Sequence, residues 1–109
     1  MTTEAFLISD LTSLLPEAPT DSIVSRSVFS AEPVKATLFA FASGQELSEH
    51  TAARPAILHV LRGEASLTLG GKTSHAGPGT WAYMPAHMPH SVHAETPLAL
   101  LLLLLNPEG

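Results

Sequence analysis

The chain contains no cysteine. Disulfides, thiolate nucleophiles and cysteine-type zinc sites are therefore excluded together. Basic residues are also scarce: 109 residues include five Lys and Arg against ten Asp and Glu, for a net charge of −5. Arg26, Lys35, Arg54, Arg62 and Lys72 are scattered and form no run. A nucleic-acid interface needs a basic stripe to neutralise phosphates, so no nucleic-acid partner is expected. Charged residues make up only 14% of the chain and apolar ones 45%. A surface this short of charge is expected to be covered in part by another copy of the chain. The N-terminus, MTTEAFLISD, lacks the basic start of a secretory signal, and the cytoplasm is the expected setting. One long apolar run is present, Leu98 to Leu105. As a helix it would span only about 12 Å of a hydrocarbon core about 30 Å thick. The run reads as a strand, and no membrane partner is expected.

What is present fits one domain. Such a chain buries roughly two thirds of the surface it exposes when unfolded, enough for one core. Leu7, Leu11, Leu14 and Leu15 fall on one face of a short helix, which Pro16 ends. Residues 1–21 are therefore read as an N-terminal helix and polar connector. From Ser22 onward the helical period gives way to short β-like segments that run to residue 109. Breaks fall at Gly44-Gln45, Ala53 to Pro55, Gly70-Gly71 and Gly77-Pro78-Gly79. Gly70-Gly71 between Leu69 and Lys72 predicts a tight hairpin, because a primed turn needs positive φ. Closely spaced short strands of this kind imply an all-β barrel or sandwich.

Two segments are apolar on both faces. In Val34 to Phe41, Ala36, Leu38 and Ala40 point one way, and Thr37, Phe39 and Phe41 the other. In Leu98 to Leu105 every residue is apolar. A strand with one wet face should alternate. The outer face of these strands must then be covered, and a homodimer or larger assembly packed sheet on sheet is expected. The alternative is that the N-terminal helix covers that face within one chain.

Two stretches share a recognisable frame. The first, GQELSEHTAARPAILHVLRG, has five residues between Gly44 and His50, and six between Ala56 and the closing Gly63. The second, GTWAYMPAHMPHSVHA, has five residues between Gly79 and Pro85, with His90 after a two-residue gap from His87. These spacings resemble the two motifs of the cupin superfamily, and the resemblance extends from Val34 to Leu105. It implies a jelly-roll barrel, the double-stranded β-helix, here with a short N-terminal helix and of the minimal conserved-barrel type. In the family frame His50 and His90 fall on ligand histidines. Ala52 falls on the second histidine of the first motif and Ala56 on its glutamate. His87 replaces a glycine and Ala94 an asparagine.

The spacing also has a physical reading. Alternate residues of a strand face a barrel interior. His50 and residue 52 would point inward, residue 56 would face them after a turn, and His90 would arrive from a later strand. Of four such groups the chain supplies two histidines. His59 is a candidate third ligand, although strand parity puts it with Ile57 and Leu61 on the opposite face unless a bulge intervenes. His87, His93, Glu46 and Glu49 lie close in sequence.

The favoured reading is a small-molecule-binding module. Its pocket would be lined by His50, Ala52, Ala56, Leu58, Val60, Tyr83 and His90, and it could hold a divalent metal such as Zn, Ni, Mn or Fe weakly. The competing reading is a metal-dependent dioxygenase, isomerase or decarboxylase, of the kinds the resemblance implies, using His50, His90 and His59. A ligand-free structural dimer is the third.

Overall fold

The computed structural model describes residues 4–106. Its strands form two antiparallel sheets. The first carries β1 (Ile23–Ser30), β2 (Val34–Phe41), β9 (Leu98–Leu105), β4 (Ala56–Arg62) and β7 (Trp81–Met84) in that spatial order. The second carries β3 (Glu46–His50), β8 (His90–Ala94), β5 (Ala65–Leu69) and β6 (Lys72–Ala76). The fold is the cupin-type jelly-roll barrel that the motif spacing implied.

Strand β9 explains the apolar run. It pairs along its length with β2, from Leu98↔Phe41 to Leu105↔Val34, and on its other side with β4. Leu98, Leu100, Leu102 and Leu104 face the core between the sheets. Alternation sends Ala99, Leu101, Leu103 and Leu105 to the outer face. No helix among the described residues is long and apolar enough to cross a membrane.

Register turns the first sheet into rows. Inside, Phe39, Leu100 and Val60 lie side by side, as do Leu102, Leu58 and Ala82. Outside, one row runs Arg26, Leu38, Leu101, His59, Trp81, and the next runs Phe29, Ala36, Leu103, Ile57, Tyr83. A bulge between Ser27 and Phe29 brings Phe29 onto this outer face.

The N-terminal helical segment is a single 3₁₀ turn, Leu11–Leu14. Its length has a local cause. Thr12 Oγ donates to the Asp10 carboxylate at 2.7 Å, and Ser13 Oγ to the Asp10 carbonyl at 2.7 Å. Such short-range side-chain bonds compete with helix propagation. Leu15, at φ −60° and ψ 135°, takes the extended conformation that Pro16 imposes on its predecessor. The segment lies over the β1–β2 side of the outer face. The guanidinium of Arg26 donates to the Leu14 carbonyl at 3.3 Å. The rings of Phe6 and Phe29 stand 4.9 Å apart. Beneath it Leu38 is wholly buried. The far side of the same face stays open, with Trp81 60% and Tyr83 52% exposed.

Gly70 and Gly71 form the β5–β6 turn at φ +58° and +85°, the primed geometry. Gly63, at φ +87°, closes a different constraint. The turn it begins docks on the β8–β9 connection, where Glu95 and Thr96 donate to the Glu64 carbonyl. A Cβ at Gly63 would overlap the Pro97 carbonyl oxygen. A Cβ at Gly71 would meet open space. Gly71→Ala should therefore cost about 1 kcal/mol, the left-handed backbone penalty alone. Gly63→Ala should lose at least about 2 kcal/mol, because backbone must also move. Urea denaturation of the two variants compares them directly; equal losses would mean that the Pro97 contact is unimportant.

Candidate functional site

His50 ends β3 and sits directly opposite His90, the first residue of β8. Leu69 of β5 completes that row. Strict alternation cannot put both Leu47 and His50 on the inner face, since they are three residues apart. A bulge between them resolves the conflict, and both line the interior. The two imidazoles meet edge to face, with centroids 4.1 Å apart and planes at 63°.

Each ring is oriented by its own chain. His50 Nδ1 lies 2.8 Å from the Ser48 carbonyl, and His90 Nδ1 lies 3.0 Å from the Met88 carbonyl. A carbonyl only accepts, so each Nδ1 carries the proton. Both Nε2 atoms are then left with a lone pair in the neutral rings. The cavity beside them is small, about 30 Å³. Its walls are Phe39, Leu47, Leu58, Met84, Val92, Leu100 and Leu102, all apolar.

Of the residues expected to line the pocket, His50, His90 and Leu58 come together. Val60 is buried deeper, beside Leu100, and does not line this cavity. Ala56 is buried in the row Leu104, Ala56, Met84. Ala52 lies beyond the end of β3, where strand alternation no longer governs direction; its carbonyl accepts from the His87 amide at 2.7 Å. Tyr83 is not a pocket residue, because its register partner is Ile57 on the outer face and half of it is exposed. His59 likewise does not join the other two histidines. It pairs with Trp81 and Leu101 on the outer face, and the bulge in β4 comes after it, between Val60 and Arg62. Parity therefore holds at His59.

Two further histidines are engaged elsewhere. His75 Nε2 lies 2.7 Å from a Glu64 carboxylate oxygen, and His93 Nδ1 lies 3.3 Å from Glu46. Phe39, Leu47, Met84, Val92, Leu100 and Leu102 are the pocket walls that motif reasoning missed. Leu47 is aimed inward by the bulge, and Phe39, Leu100 and Leu102 lie outside both motif frames.

The fit to a metal follows from this donor set. Among the described residues no three His, Cys, Asp or Glu side chains gather as a metal site. Two imidazoles fall short of the three protein ligands of catalytic zinc, and of two histidines with a carboxylate for non-haem iron. The residues present do not make a resident metal centre of those kinds.

His87 adds a local strain at the mouth. It has φ +69°, the single non-glycine residue with positive φ among the described residues. It stands where the motif frame carries glycine. Histidine visits this region more readily than most residues, but at a cost. His87→Gly should stabilise the barrel by about 1 kcal/mol. A rise in the denaturation midpoint with unchanged slope would report it; a fall would show that the His87 side chain makes up for its backbone.

Comparison with known proteins agrees with this geometry. A conserved protein of unknown function from Streptococcus pyogenes is 28% identical, with 97% of this chain and 92% of that one covered and a TM-score of 0.82. A cupin 2 conserved barrel domain protein from Leptotrichia buccalis is 32% identical, with coverage of 88% of this chain and 46% of that one and a TM-score of 0.80. Salicylate 1,2-dioxygenase from Pseudoaminobacter salicylatoxidans shares the fold at 16% identity, over 83% of this chain and 26% of that one, with a TM-score of 0.72. No curated protein matches the chain. Residues 37–105 match the cupin domain family, and the chain belongs to it.

Proposed function

We propose that this cupin binds a compact, largely apolar molecule bearing a hydroxyl group, anchored by the Nε2 atoms of His50 and His90. The observation that carries the reading is the orientation of the two rings. Both Nδ1–H groups are committed to backbone carbonyls, which leaves Nε2 as the free acceptor on each of two rings that line one apolar cavity. A hydroxyl can donate to either. The cavity is far smaller than the roughly 300–1,000 Å³ of drug-sized ligand sites. Only a head group of a few atoms enters, and the rest of the molecule stays at the mouth. Met84 is the adaptable wall, since an unbranched thioether repacks readily.

Thermal shift against a panel of small hydroxylated metabolites tests this. Ligand at ten times Kd should add about 1.4 kcal/mol, a rise of roughly 5–10 °C in Tm. The rise should vanish in a His50→Ala, His90→Ala double variant. No shift at millimolar ligand would overturn the reading. Elemental mass spectrometry on the same pair of proteins covers the metal-dependent alternative: near-stoichiometric metal that disappears in the variant would put that reading ahead.

We also infer that the chain forms a homodimer through the open half of its outer face. Leu101, His59 and Trp81 in one row, and Leu103, Ile57 and Tyr83 in the next, make a largely apolar surface that the N-terminal segment leaves uncovered. Trp81→Glu should convert the dimer to monomer in light scattering without loss of fold, because Trp81 is 60% exposed within the chain. A wild-type chain that is monomeric at high micromolar concentration would refute it.

A further inference from the structure

An open cleft of about 560 Å³ lies on the barrel rim, apart from the His50–His90 cavity. It is formed by the β1–β2 turn, the loop leading into β4 and the end of β9. Ser30, Ala31, Glu32, Lys35, Arg54 and Asn106 line it. In a chain of net charge −5, two of the five basic residues meet here. Among the described residues neither Lys35 nor Arg54 forms an ion pair with a carboxylate.

Arg54 is held in place by neutral acceptors. Its Nε donates to the Leu105 carbonyl at 2.6 Å. One Nη donates to the Glu32 carbonyl at 3.3 Å and to the Asn106 side-chain oxygen at 3.2 Å. These bonds pin the guanidinium to two chain segments, at Glu32 and at Leu105–Asn106, and use three of its five N–H donors. The other Nη has no partner among the described residues, so two donors remain on a fixed planar group. A guanidinium immobilised before binding loses little freedom when an anion arrives. Its two free hydrogens sit on one nitrogen, so it offers charge-assisted single hydrogen bonds to an anion's oxygens, and the fork that would grip two oxygens side by side is already occupied.

We propose that this rim cleft binds a small oxyanion, the carboxylate or phosphate group of a ligand, between Arg54 and Lys35. The role is separate from the histidine pocket. Glu32 opposes it, because this acidic residue lines the same cleft. The balance of two cations against one carboxylate favours an anion, and Glu32 sets how strongly.

The test is a titration followed by nitrogen–proton NMR at constant ionic strength, with inorganic phosphate, succinate and chloride as probes. Phosphate or succinate should give saturable shifts at the Arg54 Nε–H and at the amides of Glu32 and Asn106; chloride should not. Response to phosphate alone assigns the phosphate class, and response to succinate alone the carboxylate class. Lys35→Gln should weaken binding about fivefold, and Glu32→Gln should tighten it by a similar factor. Both variants keep the Arg54 anchors, so neither rests on a disrupted fold. The His50→Ala, His90→Ala variant should bind the probe unchanged, which separates this site from the histidine pocket. Shifts that chloride reproduces, or affinities that neither substitution moves, would overturn the proposal.

Discussion

The structure depends on a central strand that is apolar on both faces. Strand β9 is zipped between β2 and β4, and its alternate leucines serve two different surfaces. Leu98, Leu100, Leu102 and Leu104 build the core against the second sheet. Leu101 and Leu103 continue rows on the outside that begin at β1 and end at β7. Each buried leucine contributes about 1.5–3 kcal/mol. A slip of one residue in β9 would exchange the two sets. It would bring Ala99 inside and misalign both sets of rows. Register in this strand therefore sets the position of Leu58 at the pocket and of His59 outside it.

The second sheet supplies the polar chemistry. Its short strands carry Leu47, His50, His90 and Val92 inward and His93 and Glu46 outward. One bulge in β3 makes this possible, by adding a residue between Leu47 and His50. The result is a pair of facing imidazoles at the mouth of a nearly filled barrel. The place of the missing ligands is not an empty chamber. Ala56 is packed into the wall, and Ala52 has left the strand for the loop that bonds to His87. Alanine at the two positions where the family frame carries ligands goes with a tight core. The oxyanion-compatible Arg54 sits in that same loop, four residues from His50, so rim and pocket share one short connection.

Much of this was legible in the chain. The glycine, proline and histidine spacing implied the barrel and the facing of His50 and His90. Gly70-Gly71 marked its hairpin, and the two-faced apolarity of Val34 to Phe41 and Leu98 to Leu105 marked the central strands. Parity placed His59 outside. The errors had local causes. Tyr83, expected in the pocket, belongs to a strand that pairs with β4 and turns it outward. Ala52 was extrapolated along a strand that stops at His50. The N-terminal leucines kept to one surface, but Asp10, Thr12, Ser13 and Pro16 limited their helix to one turn.

The sequence by itself determined which segments are strands, which of them are buried on both faces, and which residue types reach the barrel mouth. Those properties are carried by local alternation, turn residues and composition. Tertiary structure alone decided the size of the cavity, the edge-to-face meeting of the two histidines, the half of the outer face left uncovered, and the pinning of Arg54. Each of these depends on contacts between residues far apart in the chain: His50 with His90, Leu58 with Leu102, Arg54 with Leu105. Such contacts follow from register and bulges, and a single inserted residue changes them without altering the hydrophobic pattern around it.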